Sequence, residues 1–237
     1  MLNIITALNI EAKPIIKHFN LKQNGQIFQN DYINLIITGS GKIKSAINTS
    51  ILLTKYKFPS LNIGICGSNI YDINEGFYIH KIIDTDNNFE YYPDFFNQNS
   101  ETLHTVSKID KYYALTDMEA SGFFEACYKF LNVDEIILYK IVSDTPQIKP
   151  NINIVETLIP NHLEIIEKLL DELPKKKDFS SEITQALKEA KLKMKLTKTQ
   201  ENQLKNILTY YKIKNLPFPT FKELKKKEEV KDFIISL

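Results

Sequence analysis

Short apolar runs alternate with helically spaced apolar positions over roughly the first 170 residues. Leu2–Leu8, Ile33–Thr38, Leu61–Cys66, Phe77–Asp84, Tyr112–Leu115 and Glu135–Val142 read as strands, several apolar enough to be buried on both faces. Four stretches between and after them read as helices. Glu11–Phe19 points Ile15, Ile16 and Phe19 inward. Ile43–Tyr56 carries Ile43, Ile47, Ile51 and Thr54 near helical spacing. Met118–Leu131 and Asn153–Leu173 follow, and Pro174 closes the last. Asp86–Ser100 is polar and aromatic and contains Pro93, so it reads as a loop. Strands alternating with helices at this spacing predict an α/β domain with a largely parallel sheet. Ligands of such sheets bind beyond the carboxyl ends of the strands. That directs attention to five junctions: Asn9–Glu11, Thr38–Lys42, Gly64–Asn69, Thr116–Glu119 and Ser143–Thr145.

The pattern changes at Pro174-Lys175-Lys176-Lys177. Beyond it, Ser181–Leu196, Thr197–Tyr211 and Thr220–Ile235 are helix-like, with Ser181 and Thr197 as N-caps and Pro217 and Pro219 as punctuation. The chain therefore divides into an α/β domain over 1–174 and a lysine-rich helical extension over 175–237. Charge sharpens the division. The formal net charge of the 237 residues is +1, yet residues 1–174 carry 14 lysines against 21 acids, a net of −7, and residues 175–237 carry 16 lysines against 8 acids, a net of +8. All 30 basic residues are lysine. Without arginine there is no planar fork for bidentate capture of phosphate or carboxylate.

No apolar run approaches the ~18 residues that span a bilayer. Met1–Leu8 has neither a basic lead nor a cleavage site, so no signal peptide is expected. Two cysteines in apolar settings, Cys66 and Cys127, indicate a reduced, cytoplasmic protein with small buried thiols. His18, His80, His104 and His162 lack ligand-like spacing. Gly39-Ser40-Gly41-Lys42 lacks the spacing of a P-loop.

The five junctions carry a resemblance. Ala7-Leu8-Asn9-Ile10-Glu11-Ala12, Thr38-Gly39-Ser40-Gly41-Lys42, Asn62-Ile63-Gly64-Ile65-Cys66-Gly67-Ser68, Asp117-Met118-Glu119-Ala120 and Ile141-Val142-Ser143-Asp144 stand in the order found in the nucleoside phosphorylase/nucleosidase superfamily. Over roughly residues 1–173 the sequence is most similar to the 5′-methylthioadenosine/S-adenosylhomocysteine nucleosidase branch. The resemblance implies a three-layer αβα fold with a mixed, largely parallel central sheet. It implies a cytoplasmic homodimer of methionine salvage, needing no metal and no organic cofactor, that acts on a purine nucleoside.

It also implies roles. Cleavage of a purine N-glycosidic bond passes through an oxocarbenium-like state. Asp144 would protonate the leaving base, a task favoured by burial beside Ile141 and Val142. Glu119 would accept both ribose hydroxyls, Met118 would pack the sugar, and Glu11 would orient or deprotonate the attacking water. Ser143 and Gly67 belong to the same motifs. Leu103–Ser107, with Val106, is the expected base-facing segment. Three departures bear on the base and the 5′ group: Ile65 replaces a serine of the branch, Thr145-Pro146-Gln147 lacks its acid, and the stretch from Asp84 to Met118 is short. Phosphorolysis is disfavoured, because arginines are absent and Glu11 would repel a phosphate, although Lys42 and backbone N–H groups offset this in part. Two alternatives remain open: a head that binds a nucleoside without turnover, and a basic extension that binds nucleic acid rather than packing as a solvated helical appendage.

Overall fold

The structure is a computed structural model and describes residues 1–94, 99–149, 151–172, 179–213, 216–224 and 227–235. The chain folds as two compact units, Met1–Lys175 and Lys176–Leu237. The segment Pro174–Lys177, where the sequence pattern changes, lies outside the described residues.

The first unit is built on one mixed sheet of ten strands: β1 (Leu2–Thr6), β2 (Lys22–Asn24), β3 (Ile27–Gln29), β4 (Ile33–Ile37), β5 (Ser60–Gly67), β6 (Gly76–Asp84), β7 (Phe89–Tyr91), β8 (Ser100–Thr105), β9 (Leu115–Asp117) and β10 (Ile136–Asp144). β1 runs parallel to β4 on one side and to β5 on the other, and β5 runs parallel to β10 from Ile136↔Ser60 to Val142↔Cys66. β10 then meets β6 antiparallel, β6 meets β8 and β8 meets β9 in parallel, and β9 returns to β5 through Gly67↔Thr116. Five strands thus close a ring. The remaining antiparallel pairings belong to the β2–β3–β4 edge and to short β7.

Helices cover both faces, and strand alternation explains why. Leu2, Ile4, Leu61, Ile63, Ile137 and Ile141 point into one core, with Ala12 and Ile15 of α1 (Asn9–His18), Leu158 of α4 (Ile152–Leu158) and Ile166 of α5 (Leu163–Glu172). Ile5, Cys66, Ile136, Leu138 and Val142 point into the other, with Leu52 and Leu53 of α2 (Lys42–Lys55) and Phe123 of α3 (Ala120–Cys127). α2 and α3 pack closely: a Cβ on Gly122 would sit 2.1 Å from the Lys42 carbonyl oxygen. The buried face of α2 is Ser45, Thr49, Leu52 and Leu53, whereas Ile43, Ile47 and Ile51 are 76%, 55% and 38% exposed.

Several elements depart from the sequence pattern. The helix expected over Asn153–Leu173 breaks into α4, a 3₁₀ turn at Ile159–His162 and α5, because Pro160 lacks the N–H to continue it. The loop expected over Asp86–Ser100 holds β7, which folds back on β6; residues 95–98 lie outside the described part. Three-residue strands β2 and β3 are too short for a periodic signal. Their turn carries one, Asn24-Gly25, with Gly25 at φ +64°.

The second unit consists of α6 (Phe179–Lys193), α7 (Lys198–Ile213) and α8 (Lys227–Ile235). It has its own core, including Ile183, Ala190, Leu204, Leu208, Val230 and Ile234. Thr197 caps α7 as expected: the Gln200 N–H donates to Thr197 Oγ1 at 3.3 Å, and Gln200 Oε1 accepts from the Thr197 N–H at 3.0 Å. Ser181, expected as an N-cap, lies inside α6, which already begins at Phe179. Among the described residues no helix is long and apolar enough to cross a membrane.

Candidate active site

All five junctions singled out in the sequence contribute to one cavity of about 110 Å³, lined among others by Glu11, Ser40, Gly67, Met118, Glu119 and Asp144. Glu11 stands at the third position of α1 and is 1% exposed. Its Oε2 accepts from the N–H groups of Ala7 at 2.9 Å and Leu8 at 2.7 Å, and its Oε1 accepts from Ile65 at 2.9 Å. One side chain therefore caps α1 and ties it to β5. Gly64 makes the approach possible, since a Cβ there would lie 2.8 Å from Glu11 Oε1. Burial pushes the Glu11 carboxyl above its ordinary value, against the N–H donors of Ile65 and Leu8 and the charge of Lys140, while the Glu119 charge adds to the rise.

Glu119 is buried where β9 passes into α3. Ser40 Oγ and the Gly41 N–H both donate to its Oε1 at 2.8 Å. Gly41 sits at φ +103°, a backbone conformation open to glycine, which turns its N–H toward the carboxylate. Met118 lines the cavity with its sulfur 3.9 Å from Ser40 Oγ. Asp144 ends β10, with Oδ1 accepting from Ser143 Oγ at 2.5 Å and Oδ2 from the Tyr112 hydroxyl at 2.7 Å. Ser143 is buried and holds Asp144 from behind, without lining the cavity. Gly67 lines it beside Asp144.

Val106 lies elsewhere. It is buried, its N–H donates to the Asp117 carbonyl at 2.9 Å, and neither it nor any other residue of Leu103–Ser107 lines the cavity. The reason is pairing: Leu103, His104 and Thr105 belong to β8, in register with both β6 and β9. Ile109, beyond the end of β8, lines the cavity instead.

The sequence assigns no role to Lys140 or to Asp117, although Asp117 stands in one of the five motifs. Lys140 sits amid the apolar run of β10, 2% exposed, with Nζ 2.9 Å from Asp117 Oδ2. Asp117 lines the cavity and also accepts from Thr105 Oγ1 at 2.8 Å and the Ala120 N–H at 2.9 Å. Burial pulls the Lys140 ammonium down, but the charges of Asp117, Glu119 and Glu11 outweigh it and hold the group above its ordinary value. A lysine within a buried strand is the signal that could have found this pair, because lone buried charges are too costly to persist.

Lys42 is committed elsewhere. Its Nζ lies 2.9 Å from Asp84 Oδ1 and 2.5 Å from Asp86 Oδ2, and Ser121 Oγ also donates to Asp84, at 2.7 Å. The cavity lining thus contains four carboxylates, Glu11, Asp117, Glu119 and Asp144, and no basic side chain among the described residues.

No family model matches the sequence, and no curated protein matches it significantly. Solved structures do resemble the chain. A 5′-methylthioadenosine nucleosidase from Arabidopsis thaliana superposes with a TM-score of 0.63 at 14% identity, covering 74% of this chain and 96% of that one. A 5′-methylthioadenosine/S-adenosylhomocysteine nucleosidase from Campylobacter jejuni gives 0.60 at 12%, covering 71% and 97%. Another from S. pneumoniae, solved with a transition-state inhibitor, gives 0.57 at 14%, covering 73% and 99%. The chain therefore has a three-layer α/β fold like that of these nucleosidase structures.

Proposed function

We propose that the first unit hydrolyses the N-glycosidic bond of a purine nucleoside of the 5′-methylthioadenosine or S-adenosylhomocysteine type. The observation that carries this reading is the cavity with four carboxylates and no basic lining residue. Such a site repels a phosphate dianion and favours a sugar on which positive charge develops. Lys42, the lysine nearest in sequence to a phosphate-binding role, is held by Asp84 and Asp86.

Asp144 acts as the acid, passing a proton to the imidazole nitrogen of the leaving base, so that the base departs neutral. Glu119 Oε1 is fixed by Ser40 and Gly41, which orients Oε2 toward the ribose diol. Met118 packs against the sugar. A carboxylate offers about four lone-pair sites, and three of those on Glu11 are taken by backbone N–H groups. The fourth accepts a proton from the attacking water, and burial, which raises the group's affinity for a proton, suits it to do so. Lys140 keeps the cluster from excessive negative charge without reaching the substrate. The likeness to the solved nucleosidases supports the choice of an adenine base and a 5′-thio substituent.

Incubating the purified chain with 5′-methylthioadenosine, with and without phosphate, tests the reading. Release of adenine and free sugar in both is expected; release that requires phosphate would overturn it in favour of phosphorolysis. Asp144→Asn should abolish release.

A homodimer fits the exposed stripe Ile43, Ile47 and Ile51 on α2, because the next copy of the chain would cover it. For the second unit, the groove between α6 and α7 supports a polyanionic partner such as duplex nucleic acid. Lys188, Lys191, Lys198 and Lys205 line it with a single acid, Glu201.

A further inference from the structure

Tyr112 has no part in the chemistry above. It belongs to the turn ahead of β9, and its hydroxyl donates to Asp144 Oδ2 at 2.7 Å. Ser143 Oγ holds the other oxygen at 2.5 Å, so both oxygens of the carboxylate are occupied by the chain itself. The two contacts differ in kind. Ser143 is the neighbouring residue on β10, buried and fixed; Tyr112 arrives from a loop. Its ring also packs on Gly67: a Cβ there would lie 2.3 Å from Tyr112 Cε1, 2.6 Å from Cδ1 and 3.0 Å from Asp144 Oδ2. Only glycine at position 67 admits an aromatic ring so close to that carboxylate.

A base that receives its proton from Asp144 must approach Oδ2, because Oδ1 faces Ser143. The place it needs is the one that the tyrosine hydroxyl holds. A purine and a phenol ring are both flat and aromatic, and both present one polar atom to the carboxylate.

We propose that Tyr112 is the positioning and selecting residue of the base site: its phenol holds the purine's place on Asp144 and Gly67, and only a flat base that replaces both contacts displaces it. The proposal rests on the reading of Asp144 as the acid. Burial, the hydrogen bond to Asp144 and its charge push the Tyr112 hydroxyl up to about 12, so it remains a donor throughout the working pH range. The competition lowers apparent affinity by the fraction of molecules in which Tyr112 has swung away. In return, a sugar without a base finds the acid occupied.

Calorimetric titration of the full chain with adenine tests this in wild type, Tyr112→Phe, Asp144→Ala and the double variant. Tyr112→Phe keeps the ring and removes only the hydrogen bond, so adenine should bind about tenfold tighter. With a nucleoside substrate, KM should fall by more than kcat changes. In the Asp144→Ala background the gain should vanish, since the acceptor is gone. Equal or weaker binding by Tyr112→Phe, the same gain in both backgrounds, or no adenine binding by any form would each overturn the proposal. If Asp144→Ala loses turnover while Tyr112→Phe gains no affinity, the displacement is wrong and the acid stands. If Asp144→Ala still turns over, the acid falls and this proposal with it.

Discussion

Replacing Lys140 by methionine removes the one buried cation beneath the cavity among the described residues while keeping much of its side-chain volume. The ammonium lies 2.9 Å from Asp117 Oδ2, and both residues are almost wholly buried. At that separation and an effective dielectric of about 20, the gross attraction is about 6 kcal/mol, much of it offset by desolvation of both ions. What the variant costs is set by Asp117, left charged in a dry site, and loss of one partner from such a pair typically costs about 3–5 kcal/mol. Asp117 keeps its bonds from Thr105 and Ala120, so the low end, about 3 kcal/mol, is expected. Asp117→Asn added to Lys140→Met should recover part of it, because the carboxylate in direct contact with the ammonium is then gone as well. Urea unfolding followed by near-ultraviolet circular dichroism isolates the first unit, which holds ten of the 12 tyrosines in a chain without tryptophan. The lysine's folded pKa lies above its unfolded value, so its contribution is complete below about pH 10.4 and is lost as pH rises through the folded value. The gap between wild type and variant should therefore be constant near neutrality and narrow only above that pH. A loss under about 1 kcal/mol at pH 7 would refute the reasoning, since it would mean that Asp117 needs no cation.

Glu11 gives a pH signature of opposite sign in activity and stability. Its carboxyl is raised above 4.5, so turnover should fall as pH drops through a midpoint above 4.5, and a profile flat down to that value would contradict its role as base. The folded state holds the proton longer than the unfolded chain does, so over the same window this group's contribution to stability grows as pH falls. Ile47→Lys places a charge in the middle of the exposed α2 stripe and should convert a dimer into a monomer in sedimentation experiments; a wild-type monomer would refute the dimer reading. If the lysines between α6 and α7 track phosphates, log affinity for duplex DNA should fall with log salt at a slope of about −0.9 per phosphate contacted. Lys198→Ala should then reduce that slope by about 1, and salt-independent or absent binding at low salt would dismiss the nucleic-acid partner.

The fold was legible wherever a segment is buried on both faces. β1, β5 and β10 are rich in apolar residues and buried along almost their whole length, and their carboxyl ends locate the cavity before any contact is known. Legibility failed where burial is one-sided or pairing is remote. β8 reads Ser-Glu-Thr-Leu-His-Thr, too polar to stand out, and is a strand because β6 and β9 flank it. The isoleucines of α2 announce a helix and mislead about its orientation, since Gly122 brings α3 against the small residues of the opposite face. In the site, Glu11, Glu119 and Asp144 meet at one cavity because each begins or ends an element that the sequence already showed. Tyr112 and Lys140 were invisible for opposite reasons. Tyr112 stands in a segment that reads as a strand, Tyr112–Leu115, but lies in the loop ahead of β9, which begins at Leu115; Lys140 is a charge within a strand that reads as apolar.

The charge balance of the cavity links these residues. Among the described residues, the carboxyl groups of Glu11, Asp117, Glu119 and Asp144 gather around one buried ammonium, that of Lys140, so acids outnumber the cation and negative charge is in excess. Backbone N–H groups on Glu11, Glu119 and Asp117, with hydroxyls on Glu119 and Asp117, hold that excess in place without neutralising it. A resting site built this way is under-compensated, and the missing charge is positive. A neutral nucleoside supplies little of it; an oxocarbenium-like sugar supplies about one unit, so the excess is relieved more in the transition state than in the ground state. An arginine-bearing phosphate site would have reversed that order by stabilising an anion first. On the hydrolase reading, the absence of arginine is therefore consistent with catalysis: buried Lys140 keeps the carboxylates together and still leaves a charge for the reaction to complete.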